Sequence, residues 1–177
     1  VSCLVGSEMC IRDRGLAVTE PIVYAQGSLA YLSVKPKDFT QGMEVLKDEN
    51  ITKVAIANPK TAPYGTAAKE ALENADLYEA LKEKFVHAES ISQTVTYAMT
   101  AADIGFIAKA SLFSPQMSHF KKGINWSEVD ESLYRPIDQG MVILKKGEGS
   151  SEVKAFYDFI LSQEAREILK NFGYKVK

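Results

Sequence analysis

The chain has little cysteine, little histidine and no long apolar run. It contains 2 cysteines and 2 histidines among 177 residues, and no stretch reaches the about 20 apolar residues of a membrane-spanning helix. Cys3 and Cys10 are separated by a spacing that favours neither a metal site nor a redox pair, and His87 and His119 lie far from both and from each other. The sequence therefore indicates neither a metal centre nor a membrane span.

The chain also lacks a strong charge of either sign. Its 21 basic and 23 acidic residues are interspersed and give a net charge of −2. This pattern provides no basic face for nucleic acid and no polybasic segment for a membrane surface. With 46% hydrophobic and 25% charged residues, the composition is typical of a soluble globular protein. We expect a small molecule as the partner, and no nucleic acid.

The first fourteen residues, VSCLVGSEMCIRDR, differ from the rest of the chain. They do not begin with Met, they hold both cysteines, and they show neither helical nor strand periodicity. They also lack the basic start, apolar centre and cleavage site of an export signal. The string resembles translated sequencing-adapter sequence, so we predict that residues 1–14 are a non-native leader. The native part then begins near Gly15 and is free of cysteine, as in exported proteins without disulfides and many cytosolic ones.

From Gly15 onward, apolar strand patterns alternate with helical patterns, which predicts an α/β fold with a largely parallel sheet. A short helix is expected at 41–47, and residues 111–134 show no regular pattern. The strands are expected at 28–34, 53–57, 84–88, 103–108 and 139–146.

Two helices are predicted to begin directly after strands. The first follows the loop of IANPKTAPYGTAAKEAL, which holds Pro63 and Gly65, and is expected to span about residues 65–82. The second should begin at Ile91, because Ser90 and Gln93 have the spacing of a capping box. We expect Pro63 to fix the backbone before the turn. Gly65 should permit a ligand to approach the backbone closely, because no side chain is in the way.

Helix starts of this kind can bind an anion. Ligands of open α/β sheets bind beyond the carboxyl ends of strands, where helix N-termini present unpaired N–H groups and a partial positive charge to an anion. The alternative is an ordinary strand-to-helix turn, since every α/β protein contains helix starts and most of them bind nothing. The pattern alone leaves both interpretations open.

The C-terminal segment predicts two helices broken at Ser162. Ser150 or Ser151 is expected to cap the first helix, Ser162 the second, and Gly173 to end it. The apolar face of this pair is predicted to consist of Val153, Phe156, Ile160, Ile168 and Leu169.

No catalytic pattern is present in the sequence. There is no G-x-S-x-G elbow, no nucleotide-type glycine-rich loop and no clustered set of metal ligands. Acidic pairs such as Glu70 and Glu73 fall where a solvated helix face would place them. We therefore predict a protein that is not an enzyme and carries no cofactor.

Five segments together resemble the molybdate-binding periplasmic proteins of bacterial ABC importers. They are NPKTAPYGTAAKEAL, AESISQTV, ADIGFIAKAS, RPIDQGMVILK and FYDFILSQEAREILKNFGY, in the family's order and at similar spacing across residues 15–177. The resemblance implies a two-lobed type II periplasmic-binding-protein fold that closes on a tetrahedral oxyanion, molybdate or tungstate. It further implies a periplasmic or cell-envelope location, delivery to an ABC permease of the inner membrane, and a monomer when intact.

The resemblance also implies the site residues. One ligand contact falls on Tyr64, a second on the backbone N–H of Ile91, and a third on Ala108, where some members carry a tyrosine. Alanine lacks the hydroxyl that would make the third contact. The supporting loop and cap residues are Pro63, Gly65 and Ser90.

By the same resemblance, residues 15–31 are a remnant of lobe 1 with the crossover, 32–134 form lobe 2, and 135–177 return to lobe 1. The N-terminal part of lobe 1, with two serine-bearing loops, is expected to be missing, so the chain as printed should bind its ligand poorly. Three other functions stay open: a ligand-sensing domain of a transcription regulator, a binding protein for another oxyanion such as sulfate, and an enzyme of small anionic substrates.

Overall fold

The computed structural model describes residues 15–176, which form two compact units. One unit is continuous in sequence, Ser28–Ile137. The other combines the described residues up to Gly27 with those from Asp138 onward. The predicted leader, with its two cysteines, lies outside the described residues. The assignment of segments to lobes stays a prediction.

The strands and helices alternate along most of the chain. The strands are β1 (Ile22–Gly27), β2 (Leu29–Leu32), β3 (Val54–Ala57), β4 (Phe85–Ala88), β5 (Ile104–Ala108), β6 (Trp126–Glu128) and β7 (Ile137–Met141). The helices are α1 (Pro63–Asn74), α2 (Tyr78–Leu81), α3 (Ile91–Thr100), α4 (Ser151–Ile160) and α5 (Gln163–Asn171), and the predicted short helix is the 3₁₀ turn Gly42–Lys47. The predicted α/β class is confirmed.

The continuous unit is built on a five-stranded sheet in the order β4-β3-β5-β2-β6. Strands β3, β4 and β5 are parallel, with Ala57 opposite Ala88 and Val54 opposite Ile104, whereas β2 is antiparallel to both β5 and β6. The parallel strands therefore end at one edge of the sheet, at Ala57, Ala88 and Ala108. We call this the carboxyl edge.

Strand β6 is absent from the prediction, which treated 111–134 as irregular. Its three residues pair with β2, placing Trp126 opposite Leu32 and Glu128 opposite Ala30. A strand this short shows no alternation that a sequence pattern could reveal. Much of the rest of this segment is 3₁₀ turns.

Both faces of the sheet are covered. Along β2, Leu29 and Tyr31 belong to the larger apolar cluster, which includes α1, while Ala30 and Leu32 belong to the smaller one, which includes Ala98 of α3. Successive side chains of a strand point to opposite faces, so the residues of β2 contribute alternately to the two clusters. Burial on both faces explains why β2, β3 and β5 are apolar throughout and do not alternate with polar residues.

Helix α3 lies unusually close to the sheet at Gly105. A Cβ atom at this position would lie 2.5 Å from the Cβ of Ala98. Only a residue without a side chain allows the helix and strand to approach to this distance.

The helix predicted over 65–82 is wrong in its length. It ends at Asn74, and a second short helix, α2, begins at Tyr78. Asp76 between them has a positive φ of 55°, and the N–H of Leu77 donates to the carbonyl of Leu72 at 2.8 Å. This left-handed turn ends the helix, and Leu77 directly after it is fully buried.

In the discontinuous unit, β1 and β7 pair as a two-stranded sheet. The sequence did not predict β1, and the strand expected at 139–146 lies earlier, at Ile137–Met141. The two C-terminal helices are confirmed: the Ser150 and Ser162 hydroxyls accept from the N–H groups of Val153 and Ala165 at 3.3 and 3.2 Å. Gly173 follows with a φ of 77°, as its role in ending the helix requires.

The predicted apolar face of these helices is present but is not buried. Val153, Phe156 and Ile168 are 36%, 66% and 45% exposed, and Ala165 is the buried residue of α4 and α5 among those described. Within the described residues, the only sheet of this unit has two strands and offers little surface to cover the apolar faces of two helices.

Asp103 ties together the starts of β3 and β5. Its Oδ2 accepts from the N–H of Thr52, the hydroxyl of Thr52 and the N–H of Lys53 at 2.9, 3.1 and 3.0 Å. Burial raises the pKa of this carboxyl, but the three hydrogen bonds outweigh it and hold the pKa below its ordinary value of 3.8. A lowered pKa means that the carboxylate stabilises the fold above the ordinary value and loses this contribution as pH falls through the folded-state value.

We expect Asp103→Asn to lower the free energy of unfolding by about 1–2 kcal/mol at pH 7, because hydrogen bonds to a charged acceptor are stronger. Below about pH 4 the wild-type protein should lose this advantage and the difference should shrink. Urea unfolding at pH 7, 4 and 3 measures it. Glu44→Gln, which removes a carboxylate from an exposed ion pair with Lys47, is the control. A difference that persists unchanged at pH 3 would contradict the assignment.

Candidate functional site

The carboxyl edge brings together the positions predicted to contact a ligand. Strand β3 leads into α1, which contains Tyr64, β4 leads into α3, which begins at Ile91, and β5 ends at Ala108. The loops after β3 and β4 contact each other, since the N–H of Asn58 donates to the Ala88 carbonyl at 2.7 Å. The starts of α1 and α3 are therefore neighbours on adjacent strands.

The start of α3 is capped as the sequence predicts. The extended backbone of Ser90, with φ −139° and ψ 161°, lets its hydroxyl accept from the N–H of Gln93 at 3.2 Å. The Gln93 side-chain oxygen accepts from the N–H of Glu89 at 2.7 Å. In a usual capping box it would accept from the N–H of the cap residue itself, one position later. The N–H of Thr94 donates to the Ser90 carbonyl at 3.0 Å.

These bonds leave two backbone donors at the helix start. Within residues 15–176, the N–H groups of Ile91 and Ser92 have no hydrogen-bond acceptor. They are the first two residues of a ten-residue helix, where the backbone carries a partial positive charge. Such a pair of donors suits an acceptor-rich anion beyond the edge of the sheet.

The start of α1 is closed by its own backbone. The carbonyl of Ala62 accepts from the N–H groups of Gly65 and Thr66 at 2.9 and 3.1 Å. Pro63 is the first helical residue, where its fixed φ suits the helix and its missing N–H has no cost. The ring of Tyr64 is half-buried and packs against the larger apolar cluster, so its side chain contributes to the core.

Gly65 has a structural reason that differs from the predicted one. A Cβ atom here would lie 2.3 Å from the carbonyl oxygen of Ala57 and 2.7 Å from its carbon. The space beside the glycine is therefore filled by the backbone at the end of β3, and not left open for a ligand. The glycine sets how closely α1 approaches the carboxyl edge.

Ala108 is buried opposite Leu29, and its methyl group provides no hydrogen-bond donor. Polar groups that the sequence did not single out lie beside the start of the neighbouring β2. The hydroxyl of Ser28 donates to Glu131 at 3.1 Å, and the hydroxyl of Tyr134 accepts from the N–H of Leu29 at 3.0 Å. Burial raises the pKa of Tyr134, so this hydroxyl stays neutral. The pairing of Leu29 with Ala108 places the start of β2 at the carboxyl edge.

Charged side chains at this edge are exposed or paired. Lys60 and Glu89 are exposed in the two loops, and Lys109, next to Ala108, lies 2.9 Å from a carboxylate oxygen of Glu128. Burial raises the pKa of Glu128, but hydrogen bonds from Lys109 and Lys122 outweigh this and lower it. No group of three or more potential metal ligands occurs in the part of the chain that the structure describes. The donors available to a ligand are thus predominantly neutral.

Comparison with known proteins assigns a family to this arrangement. A sequence profile of the bacterial extracellular solute-binding proteins matches residues 9–175. The chain belongs to this family. None of the helices described here is long and apolar enough to cross a membrane.

Two relatives of this chain are molybdate-binding proteins. The chain is 38% identical to the molybdate-binding protein ModA of Rhodobacter capsulatus over 92% of its own length and 62% of the relative's. It is 35% identical to the ModA protein of Azotobacter vinelandii over 92% of its length and 64% of the relative's. The chain therefore spans somewhat less than two thirds of these relatives.

A solved structure of a molybdate-binding protein is also similar to this chain. The periplasmic molybdate-binding protein of Azotobacter vinelandii superimposes with a TM-score of 0.85 and 30% identity, covering 99% of this chain and 77% of that one. These relatives are solute-binding proteins and not enzymes. The similarity of fold and sequence therefore extends across nearly the whole of the present chain.

Proposed function

We propose that this chain carries an oxyanion-binding site of a solute-binding protein for molybdate or tungstate, which delivers the anion to an ABC permease of the inner membrane. The observation that carries the proposal is the pair of N–H groups at the start of α3. Ile91 and Ser92 present them at the carboxyl edge without an acceptor among the described residues. A tetrahedral oxyanion supplies several strong acceptors at once.

The surroundings support an anion held by neutral donors. The helix start provides a partial positive charge without a titrating group, so its attraction for an anion does not depend on pH. In the proposal, Tyr64 at the start of α1 is the second contact. Ala108, the last residue of β5, is the third position, where alanine lacks the hydroxyl of a tyrosine. Strands β3, which leads to α1, and β5 are adjacent in the sheet.

The similarity to the two molybdate-binding relatives supports the choice of anion. Molybdate, tungstate and sulfate carry the same charge, so electrostatics alone does not separate them. Fixed backbone donors discriminate by the size of the anion that they fit. Under this proposal the protein acts in the periplasm or at the cell envelope as a monomer, without a cofactor.

Titration of the ¹⁵N-labelled chain with molybdate, tungstate and sulfate tests the proposal. We expect the amide signals of Ile91 and Ser92 to shift with molybdate or tungstate, and at least about 10-fold more sulfate to be needed, which corresponds to about 1.4 kcal/mol. Nuclear magnetic resonance follows weak as well as tight binding. Equal affinity for sulfate or phosphate would overturn the choice of anion, and shifts confined to other residues would overturn the site.

A further inference from the structure

A lysine next to the proposed site has its charge already neutralised. Lys109 directly follows Ala108, and its ammonium lies 2.9 Å from Glu128 Oε1 with its side chain 22% exposed. Lys122 contacts the same oxygen at 3.0 Å, with 60% of its side chain exposed. Glu128 thus holds two ammonium groups, of which that of Lys109 is the more buried.

The sheet order shows where this ion pair draws the lysine. Glu128 lies on β6, which is separated from β5 by β2. Lys109 directly follows β5, and its side chain extends across β2 to reach Glu128. Strands β3 and β4, with the helix starts that follow them, lie on the other side of β5. The contact therefore draws the ammonium away from the helix starts.

We propose that Glu128 is a positioning residue that withholds the Lys109 ammonium from the bound oxyanion, so that binding depends on fixed neutral donors. This inference rests on the proposed function of the same site. A lysine freed at the end of β5 has a flexible four-carbon stem and would follow any anion of the right charge. Fixed N–H groups cannot follow a smaller anion in this way.

The charge in the neighbouring loop does not replace this effect. Lys60 precedes α1 and is exposed, so salt screens its attraction for an anion. Lys109 is less exposed and starts one residue from Ala108. The pairing of Lys109 with Glu128 therefore affects the electrostatic potential at the site more than the exposed Lys60 does.

Glu128→Gln tests the inference by removing the charge that holds Lys109. We expect affinity for molybdate to rise about 3- to 10-fold at low salt, with a gain at least as large for sulfate, and to fall back to within about 2-fold at about 0.5 M salt. The amide of Ile91 reports both titrations. A merely structural role for Glu128 would not introduce this salt dependence.

Two further variants serve as controls. Lys109→Gln combined with Glu128→Gln should return both affinities to their wild-type values. Glu79→Gln removes the same charge from an exposed pair with Lys82 on α2 and should change neither affinity. Because 60% of the Glu128 side chain is covered and 40% is exposed, we expect the amide spectrum of Glu128→Gln to retain the folded pattern.

The outcomes separate this inference from the proposed function. Anion binding by the wild type with no change in Glu128→Gln would overturn the inference and leave the proposed function in place. A gain that survives in the double variant would also overturn it, since Lys109 would not be its source. Absence of any oxyanion-induced shift in the wild type would overturn both.

Discussion

Replacing Gly65 with alanine should lower the free energy of unfolding by about 2–3 kcal/mol, the cost of overpacking a close contact. The added methyl group would lie 2.3 Å from the carbonyl oxygen of Ala57 and 2.9 Å from the carbon of Asn58. These are backbone atoms at the end of β3, which no side-chain rotation can move aside. The start of α1 must therefore shift away from the carboxyl edge.

Urea unfolding monitored by circular dichroism measures this effect, and Gly147→Ala provides a matched control. There the new methyl group meets Val153 Cγ1 at 3.1 Å, a side-chain atom that can move. We expect a change of less than about 1 kcal/mol for the control. The shift in Gly65→Ala should also weaken molybdate binding. Wild-type stability for this variant would contradict the close approach of α1 to β3.

Replacing Ile91 with proline should weaken molybdate binding about 10- to 150-fold, because one hydrogen bond to a charged group is worth about 1.5–3 kcal/mol. Proline removes the backbone N–H, yet it is favoured at the first position of a helix. The preceding Ser90 is already extended, with φ −139° and ψ 161°, as a residue before proline requires. The helix should therefore be retained while the donor is lost.

The amide of Ser92 reports binding in this variant. Ile91→Ala keeps the N–H and removes most of the half-buried side chain, so it separates the donor from the packing. Ser151→Pro makes the same backbone change at the first position of α4 and should leave binding unchanged. Equal losses for Ile91→Pro and Ile91→Ala would assign the effect to packing and reject the N–H as a ligand contact.

Local signals predicted the helix starts well. Ser90, Ser150 and Ser162 each accept from an N–H group three residues ahead, and this bond involves only neighbours in sequence. The end of α1 was not predicted, because it depends on a left-handed Asp76. A positive φ is unfavourable for a non-glycine residue, and here burial of the next segment offsets that cost. A local sequence pattern does not reveal this burial.

Features that depend on pairing across the sheet were harder to predict. The reversed direction of β2 and the short β6 follow from contacts between residues about 75–100 positions apart. At the site, the order of the parallel strands brings Ile91 and Ala108 to one edge, and their roles as ligand contacts stay predictions. The Lys109–Glu128 pair has no sequence signal, because it spans a strand that comes much earlier in the chain.

The continuity of Ser28–Ile137 has a consequence for the order of folding during synthesis. Both apolar clusters lie within this unit, and its two ends already meet, since the N–H of Leu29 donates to the hydroxyl of Tyr134 at 3.0 Å. The nascent chain can therefore complete the carboxyl edge before the ribosome has made α4 and α5. The other unit has to wait, because β1 obtains its partner only when β7 emerges. The slowest-exchanging amides should accordingly lie in β2, β3 and β5.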